Sequence, residues 1–219
     1  MRICKEGWPF IGGCFGAGLL LLQAARYMGS GVLGLLSGIL FLGAAFCAYF
    51  FRDPIRRIPA GASLVLSPAD GKILDVAEEK DPATQQTSWM IRIFLSVFDP
   101  HLQRSPMTGT VQSIRYRPGK FFDARDTRAS IENEQNRIEI LSPKGTIRIP
   151  YVVRVTQIAG LIARRILCWV REGDAVQAGQ KIGLIRFGSQ VDLALPRAAK
   201  LRVKAGDRVK AGETILGEL

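Results

Sequence analysis

Near the C-terminus the chain reads Arg186-Phe-Gly-Ser-Gln-Val-Asp192, a strand-like stretch broken by Gly188-Ser189. Glycine weakens a strand interior, so the pair is either a tight turn or a peptide bond used for chemistry. A serine acts as a nucleophile only beside an activating base. His101 is the only histidine, in Phe98-Asp-Pro-His-Leu-Gln-Arg-Ser-Pro106, and histidine is the side chain most readily used for proton transfer near neutral pH. A lone histidine is more often structural, however. Asp70 stands in Ser67-Pro-Ala-Asp-Gly-Lys72, where a turn by itself calls for Asp and Gly. Arg128-Ala-Ser-Ile-Glu-Asn-Glu-Gln-Asn-Arg137 is a polar run that, alone, reads as a solvated loop capping a strand.

The elements that must position these residues are mostly strands. Ser63–Leu66, Lys72–Val76, Met90–Leu95, Arg137–Ile140 and Thr146–Ile149 read as strands, several alternating apolar with polar residues. Pro68-Ala-Asp-Gly71, Pro106-Met-Thr-Gly109, Pro118-Gly119 and Pro143-Lys-Gly145 mark turns between them. Gln157–Ile166 is the best helix candidate. Phe121 and Phe122, beside Lys120, read equally well as core or as residues dipping into a membrane interface.

Residues 1–51 differ from the rest. The uncharged runs Gly7–Ala25 and Tyr27–Phe51 are separated only by Arg26, and each is long enough to span a bilayer. A second apolar run follows at once, which does not fit a cleaved signal peptide. The expectation is a membrane helical hairpin, with a re-entrant or interfacial anchor as the alternative. The many glycines suit close packing in lipid. Arg2 and Lys5 before the runs, and Arg52, Arg56 and Arg57 after them, favour cytoplasmic ends. The expected location is the inner membrane, with the soluble part on its cytoplasmic face.

The net charge is +11. Arg2, Lys5 and Arg26 against Glu6 leave residues 1–51 at a net +2 and the remainder at +9. A basic domain tethered to a membrane is drawn to anionic lipid. No nucleic-acid motif is present, and the tether argues against that partner. Cys4, Cys14, Cys47 and Cys168 have no disulfide or zinc spacing, so no metal is expected. Residues 52–219 are enough for one domain.

A repeat occupies the C-terminal end. Val170-Arg-Glu-Gly-Asp-Ala-Val-Gln-Ala-Gly-Gln-Lys-Ile-Gly183 recurs as Val203-Lys-Ala-Gly-Asp-Arg-Val-Lys-Ala-Gly-Glu-Thr-Ile-Leu216. It resembles the half-repeat of biotinyl and lipoyl carrier domains, so the expected fold is a mostly β sandwich with few short helices behind the anchor. Carrier domains display an acceptor lysine at the hairpin tip between their repeats. Here no lysine lies between Lys181 and Lys200, and Gly188-Ser189 holds the tip.

Four segments in order, behind an apolar anchor, resemble the phosphatidylserine decarboxylase family in its short bacterial form, and the likeness covers nearly the whole chain. Ser67-Pro-Ala-Asp-Gly-Lys72 looks like its acidic turn. Phe98-Asp-Pro-His101 with Arg104-Ser-Pro106 looks like its histidine segment. Ser130-Ile-Glu-Asn-Glu-Gln-Asn136 and Phe187-Gly-Ser-Gln-Val-Asp192 are similar to its polar run and its processing site. Gln190 and Gln135 stand where the family leads one to expect Arg, and Leu102-Gln103 where one expects Val-Asn. These departures bear on head-group contacts or processing rate, not on reaction class.

The resemblance implies a self-made pyruvoyl cofactor. Ser189 would attack the carbonyl of Gly188, His101 would be its base, and Asp70 would orient His101, the logic of a serine–histidine–aspartate relay. Elimination would split the chain into 1–188 (large) and 189–219 (small), a heterodimer, with a covalent pyruvoyl group derived from Ser189. That ketone would form a Schiff base with phosphatidylserine and act as the electron sink for loss of carbon dioxide, giving phosphatidylethanolamine. His101 would also donate the proton after decarboxylation. Two alternatives remain: a non-enzymatic membrane-anchored carrier or adaptor domain, and the same enzyme acting on an ether-linked archaeal-type serine lipid.

Overall fold

The computed structural model describes residues 2–80, 86–126, 128–143, 150–161, 165–186 and 189–219. These form two compact units, Met1–Ile55 and Arg56–Leu219.

The first unit holds a two-residue ribbon, β1 (Arg2–Ile3) paired with β2 (Arg52–Asp53), around two antiparallel-connected helices, α1 (Trp8–Met28) and α2 (Gly31–Phe50). Both helices are long and apolar enough to cross a membrane. The break falls at Gly29-Ser30, just past Arg26. Gly29 adopts the left-handed conformation (φ 63°) that ends a helix, and Ser30 Oγ caps the next by accepting Leu33 N at 3.5 Å. Ser37 Oγ donates across the pair to the Gly18 carbonyl at 2.8 Å, and Phe41 packs on Gly18.

The second unit is mostly β: β3 (Leu64–Leu66), β4 (Gly71–Lys80), β5 (Thr87–Leu95), β6 (Leu102–Arg104), β7 (Gly109–Arg117), a short α3 (Ala129–Glu132), β8 (Gln135–Leu141), β9 (Val152–Ala159), β10 (Ile166–Cys168), β11 (Ala175–Val176), β12 (Lys181–Ile185), β13 (Ser189–Pro196), β14 (Lys200–Leu201), β15 (Arg208–Val209) and β16 (Ile215–Glu218). The large sheet runs β11-β7-β8-β9-β13-β5-β4-β15, flanked by β10-β12-β6 and β14-β16-β3.

These orders are palindromic. Half one, residues 102–185, supplies β6–β12; half two supplies β3–β5 and β13–β16. Ser67-Pro-Ala-Asp-Gly71 in half two matches Ser105-Pro-Met-Thr-Gly109 in half one. Each serine hydroxyl donates two residues on, to Ala69 O and Met107 O, both at 2.7 Å. Leu66 N donates to Pro106 O and Arg104 N to Pro68 O, both at 2.8 Å. Gly71 and Gly109 are required because a Cβ there would collide with the Phe94 or Leu141 carbonyl. The two arms of the C-terminal repeat make matching turns: Asp174 accepts from Arg171 N at 2.8 Å and Asp207 from Lys204 N at 2.9 Å. Past the second glycine the match slips by one residue. Gly183 pairs with Gln103 as Gly217 pairs with Val65, so Ile182 corresponds to Leu216 rather than Ile215. The likeness to carrier domains rests on the repeated sequence alone.

The described residues of the expected helix Gln157–Ile166 are not helical. Val152–Ala159 is strand β9, with Val153, Val155, Gln157 and Ala159 all turned to the core, and Ile166–Cys168 is β10. β-Branched residues alternating with polar ones favour the strand. The expected strand at Thr146–Ile149 lies outside the described residues. Phe121 packs against the core; Phe122 is half-buried beneath Arg128, 4.2 Å from its ring.

Candidate active site

The inner face of the large sheet is apolar over most of its extent: Ile91, Ile93, Ile138, Ile140, Val153, Val155, Val191, Leu193 and Leu195 are all fully buried. At one end the same alternation turns polar, through Asn136, Gln157 and Ser189.

The chain passes between the halves twice, and the described strand ends that flank both passages lie at this end. Residues 96–101 lead from β5 to β6, and 186–188 lead from β12 to β13. Leu95 pairs with Ser189 in the large sheet, and Leu102 pairs with Leu184 in the small one. The strand ends that flank the two crossovers are thus paired, and His101 precedes Leu102 at one of them while Ser189 stands at another. Ile185 N donates to the His101 carbonyl at 3.3 Å.

Ser189 is fully buried, and its Oγ has no hydrogen-bond partner among the described residues. Gly188 lies outside them. His101 is fully buried, with Nδ1 2.7 Å from the Asp99 carbonyl. A carbonyl only accepts, so Nδ1 carries a proton, and in the neutral ring Nε2 then holds the lone pair that a base needs. Asp99 is itself fixed by Ser96, whose hydroxyl donates to it at 2.7 Å.

Asp70 is buried at the turn before β4. One carboxylate oxygen accepts from Arg56 at 2.6 Å, and the other is buried without a partner. Burial raises its pKa, while the Arg56 charge and the Ala211 backbone N–H pull it down. The Asp99 carbonyl thus holds His101 Nδ1, and Asp70 is held by Arg56 and the Ala211 backbone N–H. Arg56 counted in the sequence only as flanking charge, yet its side chain is buried and also faces Glu213 at 3.6 Å.

The polar run 130–136 is not a solvated loop. Asn133 is fully buried; its amide donates to the Ala159 carbonyl at 2.7 Å and to Phe122 O at 3.0 Å, and its oxygen accepts from Phe122 N at 2.8 Å. Ala159 pairs with Ser189, so Asn133 holds the strand beside the serine. Gln190 Nε2 donates to Ser130 Oγ at 2.7 Å and Gln135 Nε2 to the Ser130 carbonyl at 3.1 Å. The two glutamines that depart from the expected arginines converge on one residue. On this outer face Asp192 accepts from Gln190 at 2.5 Å beside a cavity of 210 Å³, and burial pushes its pKa up to about 6.

Residues 44–217 match the family model described as phosphatidylserine decarboxylase. The chain is 42% identical to the phosphatidylserine decarboxylase proenzyme of Ralstonia pickettii (strain 12J), over 99% of this chain and 95% of that one. It is 44% identical, with the same coverage, to the proenzyme of Burkholderia pseudomallei (strain 1106a).

Proposed function

This chain belongs to the phosphatidylserine decarboxylase family, and we propose that it converts phosphatidylserine to phosphatidylethanolamine with a pyruvoyl group made from its own Ser189. The observation that carries the reading is the Ser189 hydroxyl, buried with no hydrogen-bond partner among the described residues beside the segment that holds the sole histidine. A buried polar atom left unbonded costs about 1–3 kcal/mol, which a merely structural serine has no reason to bear.

His101 Nε2 takes the Ser189 hydroxyl proton as Oγ attacks the carbonyl carbon of Gly188. The new C–O bond replaces the peptide C–N bond, and the proton passes to the freed amine. Loss of the Ser189 α-proton then breaks the Oγ–Cβ bond. Gly188 leaves as the carboxylate end of a large chain, and hydrolysis of the residue-189 enamine releases ammonia. The ketone so formed supplies the electron sink that decarboxylation of an amino-acid head group needs. Asp70 supports His101 through the field at the site, with Arg56 holding its charge. His101 is also assigned the proton returned to the substrate carbon.

A lipid substrate places the site at a membrane surface. The apolar helices anchor the chain there, the basic C-terminal unit favours an anionic lipid face, and the flanking Arg52 and Arg57 favour the cytoplasmic side of the inner membrane for that unit. Ser189→Ala tests the reading. It removes the nucleophile and leaves the sheet intact, so the variant should be folded, uncut and without decarboxylase activity. A cut or active Ser189→Ala protein would overturn it.

A further inference from the structure

Three buried amides stand in series behind His101. Asn136 Nδ2 donates to Gln157 Oε1 at 2.9 Å, Gln157 Nε2 to Gln103 Oε1 at 3.0 Å, and Gln103 Nε2 to the His101 carbonyl at 2.8 Å. Gln103 and Gln157 are fully buried, and Asn136 nearly so. The direction of the chain is fixed at its end. The His101 carbonyl can only accept, so the Gln103 nitrogen must face it, and each amide upstream is oriented in turn.

The fold does not require amides at these places, and half two is the control. Its strand register maps Val111, Ile140 and Val153 of half one onto Ile73, Ile93 and Val191. In that register the Asn136–Gln157 pair falls on Trp89–Leu195, and Gln103 falls on Val65. Every counterpart is apolar, and Leu195 and Val65 are fully buried. Buried amides cost free energy unless every link is made, so half one carries a demand that half two avoids.

His101 is carried by the small sheet, through β6, and Ser189 by the large one, through β13. Apolar packing between the two sheets is non-directional. The amide chain is directional, and it joins the sheets at the end where base and hydroxyl must align. We propose that Gln103 and Gln157 are positioning residues for His101, tying its backbone to the large sheet so that the imidazole is held in line with Ser189. This rests on the reading of His101 as the base in self-cleavage.

The test uses full-length precursor synthesised cell-free into phospholipid nanodiscs, with self-cleavage followed on gels from pH 6 to 9. The wild-type rate should rise with pH and level off once the imidazole is neutral. Gln157→Met should cleave roughly 10- to 100-fold more slowly at neutral pH. Its rate should keep rising with pH, as hydroxide replaces a misplaced base. Gln103→Met, which removes only the last link, should show the same change of shape to a smaller degree, and it decides the matter if Gln157→Met does not fold. A rate that is unchanged, or lowered equally at every pH, would overturn the inference. The His101→Ala control separates the levels: cleavage at the wild-type rate in that variant would sink the underlying reading, whatever the amide variants do.

Discussion

Half one and half two of the C-terminal unit share strand order, register and the Ser-Pro-x-x-Gly turn, yet differ where the chemistry lies. In half one the turn carries Thr108, whose hydroxyl accepts from Ala178 N at 3.1 Å. In half two the same place carries Asp70, which takes the matching Ala211 N–H and adds a buried ion pair with Arg56. Half one in turn places Asn136, Gln157 and Gln103 where half two has Trp89, Leu195 and Val65. What the halves share builds the sheet, and what they do not share surrounds the two crossovers. Pseudo-symmetry thus acts as an internal control: a polar residue present in one half and apolar in the other is there for something besides folding.

The comparison breaks first at Asp70. Asp70→Thr gives half two the residue of half one, and threonine can still accept from Ala211 N. Self-cleavage of the precursor, followed on gels, should fall at least about 100-fold while the protein stays folded; near-normal cleavage would show that the asymmetry is structural. Arg56→Met is next. It strands a buried carboxylate, and breaking a buried pair by removing one partner costs about 3–5 kcal/mol, measurable by denaturant unfolding in detergent. Arg56 lowers the Asp70 pKa, so the acidic limb of the self-cleavage profile should also move to higher pH.

Asp192→Asn has the smallest effect and tests the outer face. Burial holds the folded-state pKa of Asp192 at about 6, above the ordinary carboxylate value of 3.8. Between these values the folded state binds the extra proton, so wild-type stability falls as pH rises from about 4 to about 6 and then levels. The asparagine variant should lose that step and be more stable at pH 7, by on the order of 2–3 kcal/mol. An unchanged pH dependence of unfolding would show that Asp192 is ionised at little cost.

Much of the architecture was legible from local pattern. The apolar helices, strands β3, β4, β5 and β8, the C-terminal repeat and the four motif segments all announce themselves within short windows. β9 did not, because Gln157 interrupts its inward apolar series and the following Ala-Gly-Leu-Ile-Ala favours a helical reading. The shared Ser-Pro-x-x-Gly turn was visible only as two separate turns, since its variable positions differ, Ala-Asp in one and Met-Thr in the other. Arg56 looked like membrane-flanking charge because its partner lies across a turn and not at helical spacing. The amide chain depends on the pairing of β8 with β9 and of β6 with β12, and no window of sequence contains it. Gln103 was noticed as a departure from the family pattern, without the contact that gives it a role.

The most direct measurement is the mass of each chain in the purified wild-type protein, with N-terminal analysis of the smaller. The account predicts two chains, 1–188 and 189–219, the smaller lacking a free α-amine and carrying a ketone at its first residue. A single intact chain of 219 residues with full decarboxylase activity would contradict it.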